Sequence, residues 1–159
     1  MRWSVFLRCT AAGLLAAQMT ACSMPKFLNF EGSKLGWDSV TLSASANANK
    51  NSAVAVDVVL ALDAAMAQRL QDTSSDKWFT ERSDLQKTFP EGLKYFSWEL
   101  VPGQTLKVPG KSFERPRVIA AYAFASYAAQ GGNRQRIDRL HGDLVVRLDE
   151  KSFAILSSQ

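Results

Sequence analysis

Apolar and polar residues alternate along most of the chain, and a period of two puts successive side chains on opposite faces of a strand. In residues 37–46, Val40, Leu42, Ala44 and Ala46 share one side while Ser39, Thr41, Ser43 and Ser45 share the other, so this stretch predicts a half-buried strand. Residues 47–52, NANKNS, hold turn formers and no apolar anchor, which predicts a loop. Val54, Val56, Val58, Leu60 and Leu62 then take every second position against Ala53, Ala55, Asp57, Val59 and Ala61, the strongest strand signal in the chain. Asp57 falls on the less apolar side, where it is expected to face water or an arginine. The period changes after Leu62. Asp63 can cap a short helix over 64–70. Beyond TSSD, the residues Trp78, Phe79, Arg82, Leu85 and Phe89 recur at spacings of three or four, predicting a second helix that turns this stripe to the core and stops before Pro90.

Alternation resumes over 95–101, with Phe96, Trp98 and Leu100 on one side. Pro102 and Gly103 turn the chain, and 105–108 is expected to pair back. Residues 115–130 are apolar on both faces, as a covered central strand would be, and Pro116 suits a strand start; helix is the competing reading because the run is rich in alanine. QGGNRQRIDRL reads as a loop exposing Arg134, Arg136 and Arg139, and a last hairpin joins 144–148 to 153–156 around Asp149, Glu150 and Lys151. The order of elements implies a mainly β protein, an antiparallel β-sandwich with a small helical insertion at about 64–89 between the second and third strands.

The first residues follow a different pattern. Arg2 and Arg8 precede a run of Ala, Leu and Gly over 10–19, the charged and apolar regions of an export signal, too short for the ~20 apolar residues of a membrane span. Met19, Thr20 and Ala21 then lead into Cys22, a sequence that resembles the bacterial lipobox, in which the cysteine is acylated and becomes the first mature residue. A secreted protein cut near Ala21 and an uncleaved signal anchor are the alternatives. Each buried methylene contributes about 0.8 kcal/mol and a single chain holds only marginally, so the two or three chains of such a cysteine give stable anchoring. Ser23, where an inner-membrane retention signal would have Asp, favours the outer membrane. The expected organisation is a signal peptide at 1–21, an acylated cysteine and tether at 22–36, and a sandwich domain at 37–159. Phe27, Leu28 and Phe30 make the tether unlike a free Gly/Ser linker and able to pack on the domain.

Loss of 21 of the 159 residues leaves 138, enough for one domain with a sizeable core, and lowers the formal charge from +4 to about +2, which implies no nucleic-acid partner. Cys9 leaves with the signal and Cys22 is acylated, so no thiol remains for a disulfide or a thiolate-bound metal. The one histidine, His141, stands in RLHGDL and reads as a surface or turn residue, with only Asp138 and Asp143 scattered near it. Acid–base catalysis needs a positioned pair. No catalytic residue, metal, cofactor or small-molecule substrate is expected, and the chain does not read as an enzyme.

An acylated cysteine, a strand ending in Asn-rich turn residues, VAVDVVLALD, a helical insertion, Pro102-Gly103-Gln104 before a short strand, and the basic-then-apolar run of 117–122 together resemble the TssJ family. These are outer-membrane lipoproteins of the type VI secretion membrane complex. The sequence departs from the family where GGNR, 131–134, replaces a frequent Trp-Arg pair, and in the higher charge of WFTERSDLQKTF. The resemblance implies a transthyretin-like fold lipid-anchored in the outer membrane and facing the periplasm. It implies that the loop between the first two strands contacts the periplasmic part of an inner-membrane protein, TssM, with Asn47, Asn49, Lys50 and Asn51 as exposed polar contacts. The arginines of 134–139 form a second candidate surface. Two rival readings remain: a secretin pilotin, which needs an apolar groove for a partner helix, and a periplasmic inhibitor or immunity lipoprotein, which needs a protruding charge or histidine such as His141 or the arginine loop.

Overall fold

Each alternating segment has one face that only another layer can bury, so the strands must meet face to face. The computed structural model describes residues 32–128 and 133–157; the expected signal peptide, Cys22 and most of the tether lie outside the described residues. Strands β1 (Ser33–Lys34), β2 (Gly36–Ala44), β3 (Val54–Ala61), β4 (Leu93–Leu100), β5 (Thr105–Pro109), β6 (Arg117–Val118), β7 (Ala120–Ser126), β8 (Arg134–Ile137), β9 (His141–Leu148) and β10 (Phe153–Ser157) follow one another, with helices α1 (Ala64–Gln71) and α2 (Ser75–Thr88) between β3 and β4. One sheet has the order β10-β9-β2-β5 and the other β4-β3-β7-β8, while β1 pairs with β6 at the border. The molecule is therefore the mainly β sandwich expected, with its helical insertion in the expected place.

Between the sheets lie Val40, Leu42, Val56, Val58, Leu60, Val146 and Leu148, none measurably exposed. Burying each such side chain contributes about 1.5–3 kcal/mol, so this layer is the main source of stability. The second face of β3 is also covered. Val59 and Ala61 join Tyr122 and Phe124 of β7 beneath Met66, Leu70, Trp78 and Leu85 of the helices. Asp63 caps α1 by accepting from the Met66 amide at 2.7 Å, and Ser74 caps α2 from the Lys77 amide at 3.3 Å.

Asp57 projects from this covered face. It meets an arginine, as expected, but is wholly buried: Oδ2 accepts from the Trp78 indole at 2.8 Å and from Arg82 at 2.5 Å. The Trp78 ring stacks on Phe124 at 5.1 Å and meets Tyr95 edge-on at 5.4 Å. Phe89, read as part of the core stripe, is instead 40% exposed, because α2 ends at Thr88 and the chain turns away.

Five further expectations are corrected. Residues 105–108 do not pair back on β4; β5 crosses to the other sheet and pairs with β2. The turn that carries it over is fastened to β2, since Gly103, at φ +79°, donates to the Ser45 carbonyl and Ala44 donates to Gln104. The run 115–130 is a central strand only over β7, which lies between β3 and β8. QGGNRQRIDRL is not all loop, because Arg134–Ile137 forms the edge strand β8 against β7. The sheets are antiparallel but for one pair, β2 and β9, which run parallel from Gly36↔His141 to Ala44↔Leu148. The folded body also begins earlier than residue 37: β1 pairs with β6, and Leu35 is buried.

Candidate functional site

Register fixes which loops share an end of the sandwich. Ala44 lies opposite Leu148, Val54 opposite Leu100, and Ala55 opposite Ser126. The connections β2–β3, β4–β5, β7–β8 and β9–β10 therefore meet at one end. At the other, Leu35 donates to Pro116, Gly36 to Leu140 and Ile119 to Ala61. The chain thus enters the fold at the end opposite the Asn-rich turn, separated from it by strands of eight or nine residues, about 25 Å.

That turn has unusual backbone geometry. Asn49, Lys50 and Asn51 all adopt left-handed conformations, with φ of 46°, 53° and 63°. Such a conformation costs an ordinary L-residue roughly 1–2 kcal/mol, and asparagine less because its short amide can bond locally. Asn49 does so. Its Nδ2 donates to the Ala53 carbonyl at 2.7 Å, and its Oδ1 accepts from the Ala128 amide at 2.9 Å. This corrects the expectation that Asn49 is an exposed contact: it is only 6% exposed, because both ends of its amide are engaged inside the turn. Asn47, Lys50 and Asn51 are exposed. Asn47 also donates to Glu150 at 3.4 Å, which brings the β9–β10 turn alongside.

Tyr127 fastens the same end from below. Its hydroxyl donates to the Ser152 carbonyl at 2.7 Å, and burial, aided by the nearby Asp149 carboxylate, pushes its pKa up to about 12 from 10.0, against a smaller lowering by the Asp149 backbone. The unfolded chain releases this proton near pH 10 and the folded one nearer pH 12. Its contribution is therefore intact below pH 10 and is lost as pH rises through that interval. Tyr127→Phe should make alkaline unfolding shallower between pH 10 and 12, a change that denaturation midpoints across this range would register; an unchanged profile would contradict it.

The other candidate residues are engaged elsewhere. Arg134 donates to the carbonyls of Leu70, Gln71 and Thr73, capping the C-terminus of α1, and Arg136 pairs with Asp138 at 3.2 Å. His141 starts β9 in an exposed position with its ring against Gly36, while Asp143 accepts from Ser39 at 2.5 Å. Each acid near His141 therefore has its own partner. For the groove a pilotin would need, the described residues offer a recess beside Met66 and Phe89, and Arg69 lines it, 5.8 Å over the Phe89 ring. Among the described residues no cluster of three or more His, Cys, Asp or Glu is placed to hold a metal. Sequence reasoning did not find Tyr127, Ala128 or Glu150 as neighbours of the Asn-rich turn, since nothing in their spacing shows that three loops converge.

No protein-family model matches the chain, and no curated protein matches it in sequence. Solved structures do match. The T6SS lipoprotein TssJ1 from Pseudomonas aeruginosa superposes with a TM-score of 0.55 at 14% identity, over 80% of this chain and 98% of that one. A chain of a type VI membrane complex matches with a TM-score of 0.58 at 13% identity, over 75% and 96%. A chain in a structure of the T6SS protein TssM C-terminal domain from EAEC matches with a TM-score of 0.52 at 12% identity, over 76% and 97%. The fold is TssJ-like.

Proposed function

We propose that this protein is a non-enzymatic lipoprotein scaffold of a type VI secretion membrane complex, anchored in the outer membrane through Cys22 and contacting the periplasmic part of a TssM-like inner-membrane protein. The observation that carries this reading is that the described chain enters the sandwich at the end opposite the Asn-rich turn. Ser33 stands eleven positions after Cys22, a reach of at most about 40 Å when fully extended. With the lipid on the side where the chain enters, the Asn-rich end points away from the membrane surface, toward a partner that spans the periplasm. Among the described residues no helix is long and apolar enough to cross a membrane.

The likeness to a T6SS lipoprotein and to a chain of a type VI membrane complex supports the choice of system. A scaffold needs rigidity and exposed polar groups where the partner docks. The turn supplies both, with Asn47, Lys50 and Asn51 outward and Asn49 holding them from within. Of the charged side chains, Arg134 caps a helix, and Asp57 with Arg82 fastens α2 to the sheet.

Two measurements test this. Cys22→Ser should move a folded protein from the membrane fraction to the soluble periplasm; an unchanged membrane fraction would place the anchor elsewhere. Crosslinked pull-down from membranes should recover an inner-membrane secretion protein. Recovery of a secretin or a secreted enzyme in its place would favour the pilotin or inhibitor reading.

A further inference from the structure

We infer that Asn49 is a positioning residue that joins three loops into one contact surface, that Lys50 is the charge this surface presents, and that the partner offers a carboxylate opposite it. The inference rests on the reading of the Asn-rich turn as a partner contact and extends it to a mechanism and a partner chemistry.

One buried side chain reaches two loops. The Asn49 amide group holds the turn to itself through Ala53 and to the strand-exit of β7 through Ala128, while the Asn49 backbone N–H donates to the Asp149 carbonyl at 3.2 Å. Asp149 in turn donates to the Ser152 carbonyl at 2.9 Å, the same oxygen that receives the Tyr127 hydroxyl. The β2–β3 turn, the residues after β7 and the β9–β10 turn are thus linked through buried or half-buried hydrogen bonds. A surface locked in this way loses little freedom when a partner docks, which is how preorganisation raises affinity without adding contacts.

Lys50 follows Asn49 directly, exposed, left-handed, and without an ion pair among the described residues. Glycine would fit this backbone with less strain. A long cationic side chain held there, at the tip of a rigid turn, points to something for the ammonium to meet. The neighbouring acid, Glu150, accepts from Asn47, and Asp149 accepts from Arg147 at 3.1 Å, so the acids of the adjacent turn are engaged while the lysine faces outward. An aspartate or glutamate on the partner satisfies this arrangement.

The test uses the mature lipoprotein in detergent micelles and, as probe, the periplasmic C-terminal portion of the TssM-like protein from the same bacterium. Asn49→Gly keeps the left-handed backbone accessible while deleting both side-chain bonds, so it separates the bridge from the conformation. It should speed amide exchange at Ala128 and Asp149 by about tenfold or more, and weaken binding by about tenfold, with the fold retained. Lys50→Glu should weaken binding by about tenfold at low salt and less at high salt, leaving exchange at Ala128 unchanged, whereas Lys50→Arg should bind like the wild type. Unchanged exchange in Asn49→Gly would overturn the positioning role, and unchanged binding in Lys50→Glu would overturn the acidic contact. A wild-type protein that fails to bind the probe would overturn the partner contact itself, and exchange in Asn49→Gly would still decide whether the loops are joined.

Discussion

Phe113→Ala is expected to destabilise the sandwich by about 3–5 kcal/mol, the range for truncating a buried aromatic. Phe113 is wholly buried at the end of a 3₁₀ turn, Gly110–Phe113, that closes the open side between β4 and β5. Its ring lies 5.1 Å from Trp37 and 4.9 Å from Phe96, and 6.1 Å from Trp98. Edge-to-face contacts of this kind contribute about 0.5–1.5 kcal/mol beyond the area they bury. The turn reaches so far inward because residue 110 is glycine: a Cβ there would fall 1.7 Å from the Trp37 carbonyl oxygen. Both sheets contribute to this cluster, Trp37 from one and Phe96 and Trp98 from the other, so an emptied site cannot collapse by moving a single strand. Urea denaturation of the mature chain measures the loss. Phe113→Leu should cost under about 1.5 kcal/mol. A loss below about 1 kcal/mol for the alanine variant would mean that the turn does not seal the core.

Arg82→Ala should cost a comparable amount, about 3–5 kcal/mol, for a different reason. Asp57 has no exposed surface, and its Oδ1 has no hydrogen-bond partner among the described residues, so the carboxylate depends on Arg82 and the Trp78 indole at Oδ2. Arg82 is held in place by the rings of Phe79 and Tyr95, 4.9 and 5.7 Å from its guanidinium carbon. Removing it strands a negative charge beneath the helices. Asp57→Asn removes that charge while keeping an acceptor for Trp78, so the double variant Asp57→Asn with Arg82→Ala should be more stable than Arg82→Ala alone. A thermodynamic cycle over the four proteins reads this coupling. Additive effects would show that the pair does not hold α2 to the sheet.

Much of the fold was legible because it follows from short-range alternation. β2, β3, both helices and the last hairpin stand where Val40 to Ala44, Val54 to Leu60, the Asp63 cap and the Trp78 stripe place them. What alternation does not encode is which strand lies beside which. The crossing of β5 to the second sheet and the parallel β2·β9 pair depend on contacts between segments far apart in sequence. Phe113 escaped notice because KSFERP carries no periodicity, and its importance comes only from the space it fills. Arg134–Ile137 looked like a loop because its arginines dominate its composition, yet Ile137 is buried and Arg134 bonds to a helix end, as an edge strand permits.

The site divides along the same line. That residues 47–52 form an exposed polar turn was visible from composition, and Asn47, Lys50 and Asn51 are indeed exposed. Asn49 was misread because an asparagine among asparagines looks like one more surface amide. Its burial comes from Ala128 and Asp149, which are brought there by strands that sequence order alone does not bring together.

Direction is what the proposed role requires: the lipid at one end of the sandwich, the partner at the other. A photo-activated crosslinker placed at Lys50 and, in a second strain, at Asp138 near the tethered end tests this in intact cells. Capture of the periplasmic part of an inner-membrane secretion protein is expected from position 50 and none from position 138. Capture from 138 and not from 50 would contradict it.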